Sequence, residues 1–460
     1  DRGSLSLGGT LIATILVDID GGSLNSVAGP VDPTVTAPVH VRTGGVVEVI
    51  AGDLTMGKAD LVDALIFDPG STIRVGAGRT LTLLNSAAGE GIDADGMIDL
   101  QGGTTVSDSA LDTQGSGVNT VTGFGTFNAS VRTRPFQTYT STGTGLVFNR
   151  LLVLNSAFQA NGTAVRLGPA SRLAELGGSH VFNCKFTADA GSEMSANLGN
   201  AAAFGPITMG DGTTTGVTLN GIIHLGTNGT LTLNDRNGVA LGTLTDMNGG
   251  LITCNNGLTV TPGRVLRGHG SIDVPNLGAN GFTVSGGTID PDGYFAQTDT
   301  YRGIGQFAVS GRYTQQATGT FLCEVAGFDH AFGPLNDRIN VAGPAFINGT
   351  LDVSLIDGYS ATLCDTFTIF TGTSVTGTFS NVIAPPNVRV VYNPTSVQLI
   401  VAGCTADFNQ DCSVDPDDLA DYIGCFFAQP PCDGADINND DTVNPDDLAD
   451  FIGVFFAGCG

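Results

Sequence analysis

What most limits the fold of this chain is its punctuation. From Ser4 to about Asp290 it runs in short stretches of alternating β-branched and polar residues, roughly every 8–12 residues, each broken by Gly, Asn or Asp. Thr10–Asp18, Val46–Ala51, Thr80–Asn85, Thr218–Leu225 and Thr230–Asn234 are examples. Phrases such as GGVVEVIAGDLTM, GSTIRVGAGRTLTLLN and NGIIHLGTNGTLTLND share one grammar, a Gly or Asn turn followed by a strand of period two. Helical periodicity is almost absent here. Gly supplies 67 of 460 residues, about twice its usual share of roughly 7%, without a collagen period. Hydrophobic residues make up 41%, ample for a packed core. Strands this regular over about 300 residues exceed one sandwich, so the spacing predicts a solenoid. The expected fold is all-β: a right-handed parallel β-helix over 1–290 with coils of roughly 20–25 residues and inward ladders of Val, Ile and Leu.

Beyond residue 403 the pattern changes. ADFNQDCSVDPDDLADYIGCFFA from Ala406 returns as ADINNDDTVNPDDLADFIGVFFA from Ala435. Oxygen-bearing side chains fall at loop positions 1, 3, 5, 7, 9 and 12 of each copy. They are Asp407, Asn409, Asp411, Ser413, Asp415 and Asp418, then Asp436, Asn438, Asp440, Thr442, Asn444 and Asp447. That spacing offers a hard cation its oxygens, with position 7 giving a backbone carbonyl, and the expected cofactor is two calcium ions (Ca2+). Each loop runs into a helical stripe: Leu419, Tyr422, Ile423, Phe426 and Phe427, then Leu448, Phe451, Ile452, Phe455 and Phe456. The two apolar faces are expected to pack about a pseudo-twofold axis.

With its D-x-N-x-D…D-L loops, its duplication and its loop–helix order, the tail over 404–460 resembles a dockerin, the calcium-dependent module that docks onto cohesin domains of extracellular scaffolds. The resemblance implies a protein partner, a cohesin-like domain or another copy of the chain. Three departures stand out. Position 6, normally Gly because φ is positive there, holds Cys412 and Asp441; Asp tolerates that conformation and Cys does so poorly. Positions 10 and 11, partner-reading hydroxyls in dockerins, are Pro416–Asp417 and Pro445–Asp446. Five of the nine cysteines also lie in this tail. Between the two regions, RVLRGHGSIDV, VSGGTIDPDG, QFAVSGRYTQQATGTFLCEVAG, NDRINVAGPAFINGTLDVSLIDG and CDTFTIFTG follow in series. This order is similar to the closing region of autotransporter-type β-helix passengers. It implies that the last coils, over 291–403, widen into a β-sandwich-like cap on a secreted surface structure.

The net charge of −26 is uneven: the tail from Cys404 holds thirteen Asp and no Lys, Arg or Glu. No basic stripe exists to neutralise phosphates, which disfavours nucleic acid. No run reaches the 18 apolar residues of a membrane span. Nine cysteines point to an oxidising compartment. Candidate bridges are Cys404–Cys459 across the ends of the tail, Cys425–Cys432, with Cys412 a competing partner, and Cys323–Cys364 on neighbouring strand patterns. The opening at Asp1 reads as a mature, processed product, which together with the cysteines suggests a secreted, extracellular or cell-surface protein of bacterial type.

β-Helices also host polysaccharide enzymes, so acidic and basic candidates matter. Asp290 and Asp292, and likewise Asp93 and Asp95, sit in turn contexts, Asp53 and Asp99 are further acidic candidates, and His40, His180, His224, His269 and His330 are solitary in sequence. Glycoside hydrolysis needs two facing carboxylates; sugar clefts usually stack rings on Trp or Tyr, and this chain has no Trp. The sequence therefore favours a structural or adhesive role, a β-helix attached to a partner or to other copies, in a filament or surface matrix, through a calcium-stabilised tail. The alternative is a dockerin-borne lyase or glycoside hydrolase, and a polysaccharide ligand belongs with that alternative.

Overall fold

The computed structural model describes residues 3–457, apart from 13–15, 87–90, 114–120, 134–136, 156, 197–203, 214, 276–280, 294–302, 330–332, 363, 402–404, 412, 433 and 439. It is mostly β, with 55% strand and 6% helix, and its strands build a parallel β-solenoid. The chain divides into two compact units. The first is Asp1–Ile289 with Ala308–Arg312, and the second is Asp290–Phe307 with Tyr313–Gly460.

In the first unit the alternation read from sequence becomes alternation of burial. Thr72–Gly76 and Thr80–Leu84 each bury every second residue. The inward residues stack in register from coil to coil: Leu24, Val47, Ile73, Ile98, Val121, Tyr139, Ala160, Phe182, Met209 and Leu233 form one continuous ladder. All ten are buried. The coils between its rungs are unequal, shortest from Val121 to Tyr139 and longest from Phe182 to Met209. At about 4.8 Å per step, nine steps stack roughly 43 Å of core.

Aromatic rings fill the middle of that core. Phe127 stacks on Phe148 with centroids 5.1 Å apart, Tyr139 meets Phe158 edge-on at 4.9 Å, and Phe158, Phe182 and Phe186 continue the chain at 5.5 and 5.0 Å. Phe127 and Tyr139 are thus core, while Phe124 between the same coils is half-buried. The buried Tyr139 hydroxyl lies 3.0 Å from Thr113 Oγ1, which donates to Gln137 Oε1 at 2.7 Å, so the polar tip is satisfied inside the coil. Gly123 shows why Gly is needed where the ladder bulges. Its φ is +97°, and a Cβ there would run into the Leu100 carbonyl of the preceding coil.

In the second unit the coils are longer than those of the first. Thr320–Asp329 pairs in parallel with Thr350–Leu355, which pairs with Asn381–Ile383, so that Thr320 faces Thr350 and Thr350 faces Asn381. Tyr313–Gln315, Pro344–Ile347 and Ser374–Gly377 form a second parallel series. Parallel pairing then ends. Thr366–Thr371 pairs antiparallel with Ser396–Val401, which pairs antiparallel with Val388–Asn393. The chain closes with two helices, α1 (Pro416–Phe426) and α2 (Pro445–Ala457).

Candidate metal centre

Both helices start for reasons legible in their first residues. Pro416 occupies the first turn of α1, where its missing N–H costs nothing. Asp415 caps the helix by accepting from the Asp417 N–H at 2.9 Å, while Asp418 Oδ2 accepts from the Asp415 N–H at 2.9 Å. This reciprocal box makes loop positions 9 and 12 also the helix N-cap and its third residue. α2 repeats the device: Asn444 Oδ1 accepts from the Asp446 N–H at 2.8 Å, and Asp447 Oδ2 from the Asn444 N–H at 2.8 Å.

The position-12 carboxylates also reach back across their loops. Asp418 Oδ1 accepts from the Asn409 N–H at 3.1 Å, and Asp447 Oδ1 from the N–H groups of Ile437 and Asn438 at 2.9 and 3.3 Å. Both carboxylates are fully buried. The amide of Asn444 first, and then those of Asn438 and Ile437, hold the Asp447 carboxyl below the usual carboxylate range. Position 3 accepts from the N–H of position 5 in each copy (Asn409 from Asp411 at 2.9 Å, Asn438 from Asp440 at 3.0 Å). Position 5 accepts from position 7 (Asp411 from Ser413 and Asp440 from Thr442, both at 2.9 Å). Asp436 accepts from Asp440 and Asp441 at 3.1 and 2.9 Å, and Asp407 is 3% exposed. At position 6, Asp441 takes a φ of 65°, as the loop requires of Gly or Asp; Cys412 lies outside the described residues.

The two loops therefore fold alike, each wound around its own position-12 Asp. Among the described residues no three His, Cys, Asp or Glu side chains gather as a metal-holding group. The donor set nevertheless fits a hard cation. All twelve residues bring oxygen, and each position-12 carboxylate keeps lone pairs beyond the N–H bonds it accepts.

The helices pack as the repeat predicts, but only along part of each stripe. Tyr422 and Phe451 stack at 4.0 Å with planes 10° apart, and Phe408 meets both edge-on at 5.2 and 5.8 Å. The other flank of each stripe faces outward. Ile423 and Phe427 are 40% and 69% exposed, and Ile452 and Phe456 are 38% and 80% exposed. Two short helices meeting at one aromatic pair cannot cover five apolar residues each.

Of the candidate bridges, Cys425–Cys432 is formed, with Cα atoms 5.2 Å apart. Cys404 and Cys459 lie outside the described residues. Cys323–Cys364 is corrected: Cys323 is a free, buried thiol, while Cys364 belongs to another disulfide. The reason is topological. Cys323 points inward on Thr320–Asp329, whose parallel neighbour is Thr350–Leu355, whereas Cys364 precedes Thr366–Thr371, a strand bonded to Arg338–Val341 and Ser396–Val401.

Three of the histidines, solitary in sequence, find carboxylates in the fold. His40 lies 2.8 Å from Asp68. His180 lies 3.5 Å from Glu175 inside the core, both side chains 1% exposed or less. His224 sits between Glu193 at 3.8 Å and Asp246 at 3.3 Å, and Asp246 also meets Arg267 at 3.1 Å. His330 lies outside the described residues. Asp53 receives the Thr80 N–H at 2.8 Å as a turn clamp, and Asp99 pairs with Arg74 at 3.2 Å. A pair that sequence reading missed is Glu324 and Asp337. The buried Asp337 carboxylate accepts from the N–H groups of Gly305 at 2.7 Å and Glu324 at 2.8 Å, and Asp290 and Asp292 act on Glu324 as further negative charges. Knowing the coil length would have flagged His224 with Asp246, because residues one coil apart become neighbours, whereas Glu324 and Asp337 meet across the antiparallel pairing of Thr320–Asp329 with Gly333–Asn336.

No family model matches the chain, and no curated protein matches it.

Proposed function

We propose that the chain is an extracellular structural or interaction protein, a β-solenoid whose C-terminal tail binds two calcium ions and attaches it to a protein partner. The observation that carries this reading is the repetition in three dimensions. Two loops with the same oxygen spacing wind around the same buried aspartate, and their helices meet at Tyr422 and Phe451. Calcium would neutralise carboxylates that repel one another in a tail with thirteen Asp and no Lys or Arg. The dockerin resemblance supports a cohesin-like partner or a second copy. The exposed Ile423, Phe427, Ile452 and Phe456 give such a partner apolar surface. The test is chelation followed by amide exchange: α1 and α2 lose protection while the strands of the first unit keep theirs. The Asp407→Ala/Asp436→Ala double variant behaves like the chelated protein, and full calcium binding by that variant refutes the assignment.

A second reading, a polysaccharide-active enzyme, is favoured by one observation. His224, Asp246 and Arg267 lie side by side on consecutive coils, with Glu193 two residues out of step on the coil before. Yet Glu48, Arg74 and Asp99 repeat the same alternation of charge on earlier coils, where it serves as an ion-pair ladder. Release of reducing ends or unsaturated products from a plant or algal glycan, abolished by His224→Ala, decides for the enzyme.

A further inference from the structure

The two calcium loops share their oxygen-bearing positions but differ in what holds their entrances. Ala435 immediately precedes Asp436, the first ligand of the second loop, and it is fully buried. Three ties fix it. Its N–H donates to the Cys432 carbonyl at 3.1 Å, its carbonyl accepts from the Tyr422 hydroxyl at 3.0 Å, and Cys432 is covalently joined to Cys425 on α1. The equivalent neighbour of the first loop is Ala406. The residue of α2 matching Tyr422 is Phe451, with no hydroxyl, and the one matching Cys425 is Val454, with no thiol. Among the described residues, the Tyr422 hydroxyl and the Cys425 sulfur therefore break the pseudo-symmetry, and both act on the second loop.

We propose that the Cys425–Cys432 bridge, with Tyr422 as a positioning residue, sets the calcium affinity of the second loop alone and makes that loop redox-sensitive. The inference rests on the reading that these loops bind calcium. A loop whose first ligand is already placed loses less conformational freedom on binding. Opening the bridge frees the segment between α1 and Asp436 and transfers that ordering cost to the binding step. Cys432 is exposed while Cys425 is buried, so a small dithiol reductant attacks at Cys432 and expels the Cys425 sulfur as thiolate. The S–S bond breaks, two electrons and two protons give two thiols, and the reductant leaves as its own disulfide.

Because Cys364 is also bridged, a reductant is a blunt probe, and substitution is cleaner. The test is calorimetric titration of the full chain with calcium chloride, with amide exchange at Ala435 as a second readout. In an Asp407→Ala background, where only the second loop is intact, Cys425→Ser/Cys432→Ser weakens calcium binding about tenfold or more and speeds exchange at Ala435. Tyr422→Phe, which keeps the ring and the bridge, weakens it about threefold. In an Asp436→Ala background, where only the first loop is intact, both changes leave affinity within about twofold. Unchanged affinity in the first background overturns the proposal, and so does an equal loss in both, which would mean that the whole tail has loosened. If no form binds calcium, the calcium reading fails as well, and that outcome is distinct from the other two.

Discussion

Glu324→Gln should stabilise the protein at pH 8 and leave it nearly unchanged at pH 5. The Glu324 carboxyl is pushed up to about 7, by burial first and then by Asp290 and Asp292. Its neighbour Asp337 lies well above the ordinary carboxylate range for the same first reason, although two backbone amides oppose the shift. A carboxyl whose folded value is raised favours the folded state while protonated, and that contribution is lost as pH rises through about 7. The move from 4.5 to about 7 is worth about 3.4 kcal/mol as a ceiling, at about 1.4 kcal/mol per pH unit. Glu324 is only half-buried, and solvent screening reduces this to roughly 1–2 kcal/mol. Gln imitates the protonated acid, so at pH 5 it changes little. At pH 8 it removes one negative charge from the group and recovers that roughly 1–2 kcal/mol, or about 2–6 °C in Tm for a unit of this size. The assay is calorimetric melting of wild type and variant at both pH values in chelator. Equal wild-type-to-variant differences at pH 5 and pH 8 refute the reasoning, since they would mean that Glu324 is ionised in both conditions.

Three further outcomes are expected. Glu175→Leu strands His180 in the core and costs about 3 kcal/mol or more by denaturant unfolding, while Glu175→Leu/His180→Phe restores stability or exceeds wild type; none of the four carboxyl and ring atoms finds a hydrogen-bond partner among the described residues. Phe182→Ala removes a ring that touches Phe158 and Phe186 and lies in the continuous ladder of the first unit, costing about 3–5 kcal/mol in the same measurement. The Asp447 carboxyl is held low by backbone amides, so its contribution to α2 is present above the ordinary carboxylate value and fades as pH falls through its folded value. Helical circular dichroism in chelator should report that acid transition, and Asp447→Asn should remove it.

Much of the fold was legible because a solenoid writes itself locally. Gly-punctuated strands of period two predicted parallel coils, and Thr72–Gly76 or Thr80–Leu84 carry that pattern directly into burial. The helices of the tail were legible for a related reason: each is a contiguous stretch, so the stripes from Leu419 and from Leu448 mark α1 and α2 locally. What was illegible depended on register. His224 meets Asp246 only because the coil between them closes in step, and coil length is not constant along the ladder: the return from Val121 to Tyr139 is far shorter than that from Phe182 to Met209. Cys323 and Cys364 failed to pair because adjacency in sequence order is not adjacency across a coil, and the coil that leaves Cys323 returns at Val353. The outward flank of α1 was equally hidden, since amphipathic spacing names a stripe without saying how much of it a partner helix can cover.

Among the described residues, two groups of carboxylates differ in how they are expected to relieve their repulsion. Asp337 is buried and Glu324 half-buried, and desolvation raises both, so near neutral pH this group relieves its repulsion with protons. A proton on the carboxylate competes with a cation for the same lone pairs. In the tail the balance is reversed. Backbone amides hold Asp447 below its ordinary range, and Asp411, Asp415, Asp436 and Asp440 are not fully buried. Those carboxylates have hydration to exchange for a metal. The full chain at pH 7 is therefore expected to bind two calcium ions, not three, with Glu324→Gln leaving that stoichiometry intact. A third ion that disappears in Glu324→Gln would show that the Asp290–Glu324 group is a metal site, and that burial does not sort protons from cations in this protein.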